Sequence, residues 1–248
     1  MPPRHSHPHS DQTAASIEGG CLPGFLIPPL AVVCIGGVMA FLLLGSGPVS
    51  ALAATSRQSD ADLAQGIADQ MAKPSKASPN QAEAISPVFR PEVQYWSGAI
   101  QTWATAAELD PNLVATVMQI ESCGDPNARS RAGAMGLFQV MPYHFASGDD
   151  AYNPDTNAVR GLAYLKRSLE AAKGEARLAL AGYNGGIGVI GRPELSWAAE
   201  TQRYAYWGSG IYADASNGAT ESLRLQQWMA AGGASLCRQA RSRLGINP

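Results

Sequence analysis

The sequence predicts a mainly helical domain that follows an N-terminal membrane-spanning or signal segment. An apolar stretch lies near the start of the 248 residues, all five Trp and all eight Tyr follow residue 90, and the later apolar positions repeat at helical spacing. Only residues 135–140 have strand character, so we expect one small β-hairpin at most. The predicted domain therefore occupies residues 91–248.

The balance of charge excludes one class of partner. The chain has 18 Lys and Arg against 20 Asp and Glu, which gives a formal net charge of -2 at pH 7. A protein that binds phosphate backbones normally carries a basic face. We therefore expect no nucleic-acid partner.

The apolar stretch from Phe25 to Leu44 predicts contact with a membrane. At ~1.5 Å rise per residue it spans about 30 Å, the thickness of one hydrocarbon core. Ala51-Leu52-Ala53 follows as a small-residue cleavage site, so residues 25–54 are either a retained transmembrane anchor or a cleaved signal peptide. Residues 1–24 have the composition of a disordered tail. Both alternatives place everything after Ala54 outside the cytoplasm.

Residues 55–90 have the composition of a flexible linker. They are polar, alanine-rich and interrupted by proline, and they contain neither Trp nor Tyr. One short helix near Asp60 to Ala72 is compatible with this composition. An unstructured segment of this length spans on the order of 30 Å, which is enough to hold a domain away from a membrane surface.

The first helices of the domain place one acid on an apolar face. Residues 91–109 have apolar side chains at helical spacing, and Asp110 before Pro111 predicts the N-cap of a second helix. Val114, Met118 and Glu121 lie on one side of that helix. Burial and the negative C-terminal end of the helix dipole both disfavour the carboxylate, so we expect the pKa of Glu121 to be raised. A raised pKa suits a general acid near neutral pH.

The later elements are also predicted to be helices. One opens at Asp155 or Asn157, and a nearly all-apolar one runs from Glu175 to Tyr183. Residues 193–215 and 220–244 supply more helix, with a break at Gly232-Gly233. The domain is therefore expected to be mainly helical, and the helix from Glu175 to Tyr183 is expected to be buried.

Several motifs follow one another along this part of the chain. They are Glu121-Ser122, Asp125-Pro126-Asn127, Ser130, Gly133 to Pro142, Asn153-Pro154 with Asn157, Gly161 to Leu165, Ala181 to Gly186, and Glu200-Thr201 with Tyr204. In their order and spacing they resemble the catalytic domain of the soluble lytic transglycosylases, the helical lysozyme-like enzymes that cleave bacterial peptidoglycan. The resemblance covers residues 95–212, about half of the chain.

The resemblance implies a reaction that needs one carboxyl group. Glu121 would protonate the oxygen that links N-acetylmuramic acid to N-acetylglucosamine, and its carboxylate would then accept a proton from the muramyl 6-hydroxyl. That hydroxyl attacks the anomeric carbon and leaves a 1,6-anhydro end. An intramolecular nucleophile removes the need for the second carboxylate of most glycosidases. No cofactor or metal is implied.

The resemblance also implies substrate-binding roles for six residues. They are Ser130, Gln139, Met141, Tyr183, Asn184 and Glu200. Ser130 would lie beside Glu121 or the acetamido group of the substrate, and Tyr183 would orient Glu121 through its hydroxyl. The residues themselves leave alternatives open: Ser130 and Gln139 are also suited to bonding the backbone of their loop. Met141 and Tyr183 are equally suited to the core.

Two cysteines follow the apolar stretch, Cys123 and Cys237. An even pair in an oxidising compartment predicts a disulfide, which would hold the helix of residues 235–244 against the loop after Glu121. Two buried free thiols are the alternative. His144 has no partner identifiable from the sequence, so a structural role is expected for it.

Three functions remain possible from the sequence. The first is an envelope enzyme that cleaves peptidoglycan glycan strands without hydrolysis and meets the membrane through its N-terminal segment. The second is a muramidase of the same fold that uses water, for which the sequence names no positioned base. The third is a catalytically silent scaffold that binds the wall. The glutamate and its surrounding motif favour the first.

Overall fold

The computed structural model describes residues 49–73 and 85–246. The helices within these ranges are α1 (Val49–Met71), α2 (Pro91–Gln94), α3 (Ser97–Ala107), α4 (Pro111–Glu121), α5 (Pro154–Ala171), α6 (Ala176–Gly185), α7 (Ala199–Ser216), α8 (Leu223–Trp228) and α9 (Ala234–Leu244). Short 3₁₀ turns lie at Pro142–His144, Ile187–Val189 and Glu194–Ser196, and a π-helical turn, Met229–Gly233, joins α8 to α9. The mainly helical prediction is confirmed.

The small hairpin expected at most over residues 135–140 is reduced to a tight turn, in which Met135 and Val140 exchange two backbone hydrogen bonds. The described part of the chain contains no strand, and this segment forms only isolated bridges from Met135 to Arg129 and to Val140. Gly136 and Gln139 both have positive φ, 75° and 47°. These left-handed residues turn the backbone too often for an extended ladder.

The predicted helix over residues 91–109 is divided into α2 and α3. Trp96 has φ −93° and ψ 5°, which breaks the helix. Its indole Nε1 donates a hydrogen bond to the carbonyl O of Gly124 at 2.9 Å, and its ring stacks on Trp103. Trp96 therefore fixes a corner against the loop that follows α4.

Helix α4 lies at the centre of the core. Asp110 caps it as predicted, because its side chain accepts hydrogen bonds from the backbone N–H groups of Asn112 and Leu113. Every residue from Leu113 to Glu121 is buried. Helices α3 and α7 pack on α4, while α5 and α6 pack on each other and complete the core around it.

Helix α1 corrects the prediction of a flexible linker over residues 55–90. Ala64 and Ile67 are buried where α1 packs on α3 and α5. Ile85, Val88 and Phe89 also enter the core. A narrow stripe of Ala and Ile is sufficient to bury one face of a helix, so the absence of Trp and Tyr did not imply a spacer. Residues 74–84 of the predicted linker lie outside the described residues.

The predicted tail and the apolar stretch, residues 1–24 and 25–44, lie outside the described residues. The cleavage site Ala51 to Ala53 falls in the backbone of α1. Within residues 49–73 and 85–246, no helix has both the length and the apolar character that crossing a bilayer requires.

The C-terminal helices follow the predicted break. Gly232 has φ 132°, a conformation that L side chains rarely adopt, and it separates α8 from α9. Cys237 of α9 forms a disulfide with Cys123, directly after α4. Arg241 and Arg243 of α9 pair with the buried carboxylates of Glu92 and Asp125. Helix α9 is therefore attached to the loop after α4 both covalently and by charge.

Candidate active site

Helix α4 delivers Glu121 to an open cleft. The cleft contains about 600 Å³ of space, part of it open to solvent, and its lining includes Glu121, Gln139, Met141, Tyr183 and Asn184. The predicted stripe is present, because Val114 and Met118 are buried on the core side of the same helix. Ser122 ends α4 and donates a hydrogen bond from Oγ to the carbonyl O of Leu137 at 2.7 Å.

Burial favours the protonated form of Glu121. Its side chain is almost completely buried, with 3% of the residue exposed. This burial raises its pKa from 4.5 to about 8; a hydrogen bond with the Tyr204 hydroxyl lowers the pKa, and the nearby Glu200 carboxyl raises it. The predicted direction of the shift is therefore correct. A carboxyl that holds its proton to this pH can donate it to a leaving-group oxygen.

The glycine-rich loop of residues 133–142 is held in place by the side-chain amide of one residue of α5. Asn157 donates from Nδ2 to the carbonyl O atoms of Met135 and Ala151, and its Oδ1 accepts a hydrogen bond from the N–H of Phe138 at 2.8 Å. Gly136 lies directly against this amide, where a Cβ atom would collide with Asn157. Asn157 thus fixes the loop that forms one side of the cleft.

Gln139 lies in the cleft and also bonds the backbone of its own loop. It lines the cleft, and its Nε2 donates to the carbonyl O atoms of Ala128 and Gly136 at 3.2 and 3.0 Å. These bonds close the loop on itself around a residue with positive φ. Met141 lines the cleft two residues later.

Tyr183 connects the wall of the cleft to the loop. Its hydroxyl donates to the carbonyl O of Phe138 at 2.7 Å, which connects α6 to the loop. The phenol that lowers the pKa of Glu121 is Tyr204 of α7. Gly161 of α5 lies beneath this contact, where a Cβ atom would lie 2.6 Å from Cβ of Phe138 and 3.3 Å from the Tyr183 hydroxyl.

Of the other predicted residues, Asn184 lines the cleft and Ser130 does not. Ser130 is not among the cleft residues described here, and its Oγ accepts a hydrogen bond from the N–H of Ala134 at 3.0 Å, the loop-bonding alternative. Asn184 lines the cleft and accepts from Thr201 through Oδ1. Its Nδ2 is buried without a hydrogen-bond partner among the described residues. Buried polar atoms usually have partners, so a ligand is a candidate partner for this amide.

Part of the chain matches a known protein family. Residues 98–205, which include Glu121 and Tyr204, match the family described as the transglycosylase SLT domain. These residues form a transglycosylase SLT domain. The resemblance seen in the sequence is thereby confirmed.

Two proteins are similar to part of this chain. A protein named transglycosylase from Enterobacteria phage PRD1 is 40% identical over 116 residues, which cover 44% of this chain and 42% of the relative. An endo-type membrane-bound lytic murein transglycosylase A from Klebsiella pneumoniae is 32% identical over 100 residues, which cover 32% of this chain and 48% of the relative. The aligned region thus spans about half the length of each relative.

Helices on both sides of the SLT domain contact residues in the cleft or next to Glu121. Cys123 lies two residues after Glu121 and joins α9 through the disulfide to Cys237. Helix α1 precedes the matched residues, and its Asp60 carboxyl lies 3.6 Å from Nδ1 of His144, a residue that lines the cleft. This pairing was not predictable from the sequence, because a contact across 84 positions has no local pattern.

Proposed function

We propose that this protein is a lytic transglycosylase of the cell envelope that cleaves the β-1,4 bond between N-acetylmuramic acid and N-acetylglucosamine of peptidoglycan. The observation that carries the proposal is Glu121, a carboxyl buried in an open cleft with a pKa of about 8. The SLT domain and the names of the two relatives support the substrate class.

The proposed reaction uses Glu121 twice. Its neutral carboxyl donates a proton to the glycosidic oxygen while the bond from that oxygen to C1 of the muramyl sugar breaks. The 6-hydroxyl of the same sugar forms a bond to C1, and its proton passes to the Glu121 carboxylate. The acid is restored, no water is consumed, and the product ends in 1,6-anhydro-N-acetylmuramic acid. The ring supplies its own nucleophile at high effective concentration.

The substrate contacts are proposals of the same kind. Gln139, Met141 and Asn184 lie in the cleft beside Glu121, and Nδ2 of Asn184 offers a donor to a sugar oxygen or an acetamido carbonyl. Tyr183 supports the wall through Phe138. Glu200 acts through its charge on Glu121.

One observation favours a second candidate, a hydrolysing muramidase. The Glu200 carboxyl is close enough to Glu121 to raise its pKa, so a second carboxyl is present beside the acid. An inverting or retaining glycosidase places a second carboxyl near its acid to activate water or to capture the sugar. The two reactions differ in product, because the anhydro end is lighter by one water.

The test is the mass of fragments released from purified peptidoglycan, together with two variants. Glu121→Gln removes the acid and keeps its shape, and we expect cleavage to fall by roughly 10² to 10⁴ while glycan binding remains. Asp125→Asn is the matched control, because Asp125 is also buried but bonds Gln239 and Arg243 away from the cleft chemistry. It should keep most activity.

Each outcome has a separate meaning. Anhydro ends from the wild type support the transglycosylase, and reducing ends alone establish the hydrolase. Full cleavage by Glu121→Gln contradicts both mechanisms. An absence of cleavage by the wild type would leave the scaffold function as the better account.

The location is proposed from the apolar stretch over residues 25–44 and from the relative that is named membrane-bound. We expect the domain to lie outside the cytoplasm, through either an anchor or a cleaved signal peptide. A reporter fused after residue 90 should be active only outside the cytoplasm, and activity only inside it contradicts this location. N-terminal sequencing of the mature protein distinguishes the two alternatives.

A further inference from the structure

We propose that Tyr143, His144 and Tyr164 form a carbohydrate-binding platform at the mouth of the cleft, and that Asp60 of α1 is its positioning residue. The occupant is a further sugar of the strand that Glu121 cleaves, so this inference rests on the proposed function. Tyr164 lies within the Gly161 to Leu165 motif, and Tyr143 and His144 directly follow Pro142, but none of the three is among the predicted substrate-binding residues. His144 had no expected role beyond structure.

The three rings continue the wall that begins beside the acid. Tyr183 contacts Tyr164 with ring centroids 5.7 Å apart, Tyr164 contacts His144 at 4.7 Å, and His144 contacts Tyr143 at 4.6 Å. All four residues line the same cleft as Glu121. An uninterrupted row of rings therefore leads from the acid to the surface.

The outermost ring is exposed although it is large and mostly apolar. Tyr143 is 58% exposed at the rim of the cleft. A tyrosine offers a flat apolar face and a polar edge, which suits a ligand with apolar C–H faces and peripheral hydroxyls. Sugar rings have this character. A glycan strand is a polymer, so any strand bound at Glu121 must continue out of the cleft past its rim.

Helix α1 holds the inner two rings in place through one carboxylate. Oδ2 of Asp60 lies 3.6 Å from Nδ1 of His144, and Oδ1 lies 2.7 Å from a terminal nitrogen of Arg167. The Arg167 guanidinium lies over the Tyr164 ring, 5.2 Å from its centroid. Asp60 thus contacts the His144 ring directly and the Tyr164 ring through Arg167.

The other end of Tyr164 is also fixed. Its hydroxyl hydrogen-bonds the backbone of Ile187, and burial raises its pKa. A platform whose rings are already ordered loses little side-chain entropy when a ligand binds. Asp60 lies in α1, before the matched residues 98–205, so the platform depends on a helix outside the SLT domain.

The test uses the full-length chain carrying Glu121→Gln and peptide-free glycan strands of two and eight sugars. Adding Tyr143→Ala should weaken binding of the eight-sugar strand by roughly 2- to 12-fold and leave the two-sugar fragment unchanged. Tyr143→Phe keeps the ring and should bind within about twofold of the parent. Tyr95→Ala is the control, because Tyr95 is 59% exposed but does not line the cleft.

Asp60→Ala tests the positioning role in the otherwise unchanged enzyme. We expect a higher KM for long strands with unchanged kcat, and partial recovery in Asp60→Glu. Combined with Tyr143→Ala, its effect should be smaller than the product of the two single effects, because both act on one platform. Thermal unfolding of each variant shows whether the fold is retained.

Two outcomes overturn the platform. One is equal binding of long strands by the parent and Tyr143→Ala. The other is an equal loss for two-sugar and eight-sugar strands, which would place the ring at the bond being cleaved. Both are read in a protein whose cleavage is already removed, so they leave the proposed reaction standing. Full cleavage by Glu121→Gln would instead contradict the reaction.

Discussion

Two buried glutamates lie on either side of the loop after α4, and they have opposite surroundings. Glu92 is 1% exposed and accepts hydrogen bonds from the Arg241 guanidinium, with Arg90 3.8 Å away. Glu121 is 3% exposed and faces the Tyr204 hydroxyl and the Glu200 carboxyl. Equal burial thus gives a structural ion pair in one place and a proton donor in the other. The presence or absence of a neighbouring cation decides between them.

Helix α9 supplies the cations on the structural side. Arg241 reaches Glu92, and Arg243 with Gln239 reaches Asp125, four residues after the acid. The disulfide from Cys123 to Cys237 attaches the same helix covalently to the loop after α4. The clamp formed by α9 therefore fixes the loop, and among the described residues no cation pairs with Glu121.

The largest expected effect comes from removing the covalent part of this clamp. Replacing Cys123 and Cys237 by Ser releases a loop with a sequence separation of 114. We expect the free energy of unfolding to fall by about 2 to 4 kcal/mol. Urea unfolding measures this loss, and reduction of the wild type should reproduce it. Equal midpoints for the oxidised and reduced wild type would show that the bridge adds no stability.

The next effect comes from removing the ion pair between Arg241 of α9 and Glu92. Arg241→Met leaves Glu92 buried beside a more distant Arg90, and we expect a loss of about 3 kcal/mol in the free energy of unfolding. Arg238→Met is the control, because Arg238 is an exposed arginine of the same helix. Replacing Glu92 and Arg241 together by apolar residues should cost less than Arg241→Met alone. A larger loss in the double variant would contradict this account.

A smaller effect concerns Glu121, the second glutamate of the comparison, and the dependence of stability on pH. The folded-state pKa of Glu121, about 8, lies above its ordinary value of 4.5, so between these values the folded protein retains a proton that the unfolded chain has released. The free energy of unfolding therefore falls as pH rises through this range. Glu121→Gln does not titrate, so it should gain on the order of 2 kcal/mol relative to wild type between pH 4 and pH 7.

Urea unfolding at several pH values measures this difference. Glu170→Gln, at an exposed glutamate of α5, is the control and should follow the wild type. A constant difference between Glu121→Gln and wild type across pH would mean that the acid is not held neutral by the fold.

The smallest effect concerns Glu200. Its charge raises the pKa of Glu121, so Glu200→Gln should move the basic limb of the kcat/KM profile to lower pH, by less than about one unit. The activity falls above this pKa because the neutral acid is lost. A basic limb at its original pH would contradict the coupling between the two carboxyls.

The sequence was sufficient for features that depend on local pattern. The cap at Asp110, the apolar stripe that ends in Glu121 and the break at Gly232 all follow from the spacing of neighbouring residues. The disulfide partner followed from cysteine count, since Cys123 and Cys237 are the cysteines after the apolar stretch.

Features that join distant segments were not predictable from pattern. The hydroxyl of Tyr204 bonds Glu121, because α7 packs on α4 and brings its own phenol to the acid. The docking of α1 was missed because a narrow Ala and Ile stripe resembles a linker in composition. Asp60 becomes significant only when α5 and the 3₁₀ turn at Pro142–His144 lie beside it.

At Gly161 the helix and the loop above it touch with no room for one more carbon atom. A methyl group there would displace Phe138, whose carbonyl holds the Tyr183 hydroxyl. The groove therefore cannot narrow at this point by bringing α5 and the loop closer together, because their backbones are already in contact through the side chain of Phe138.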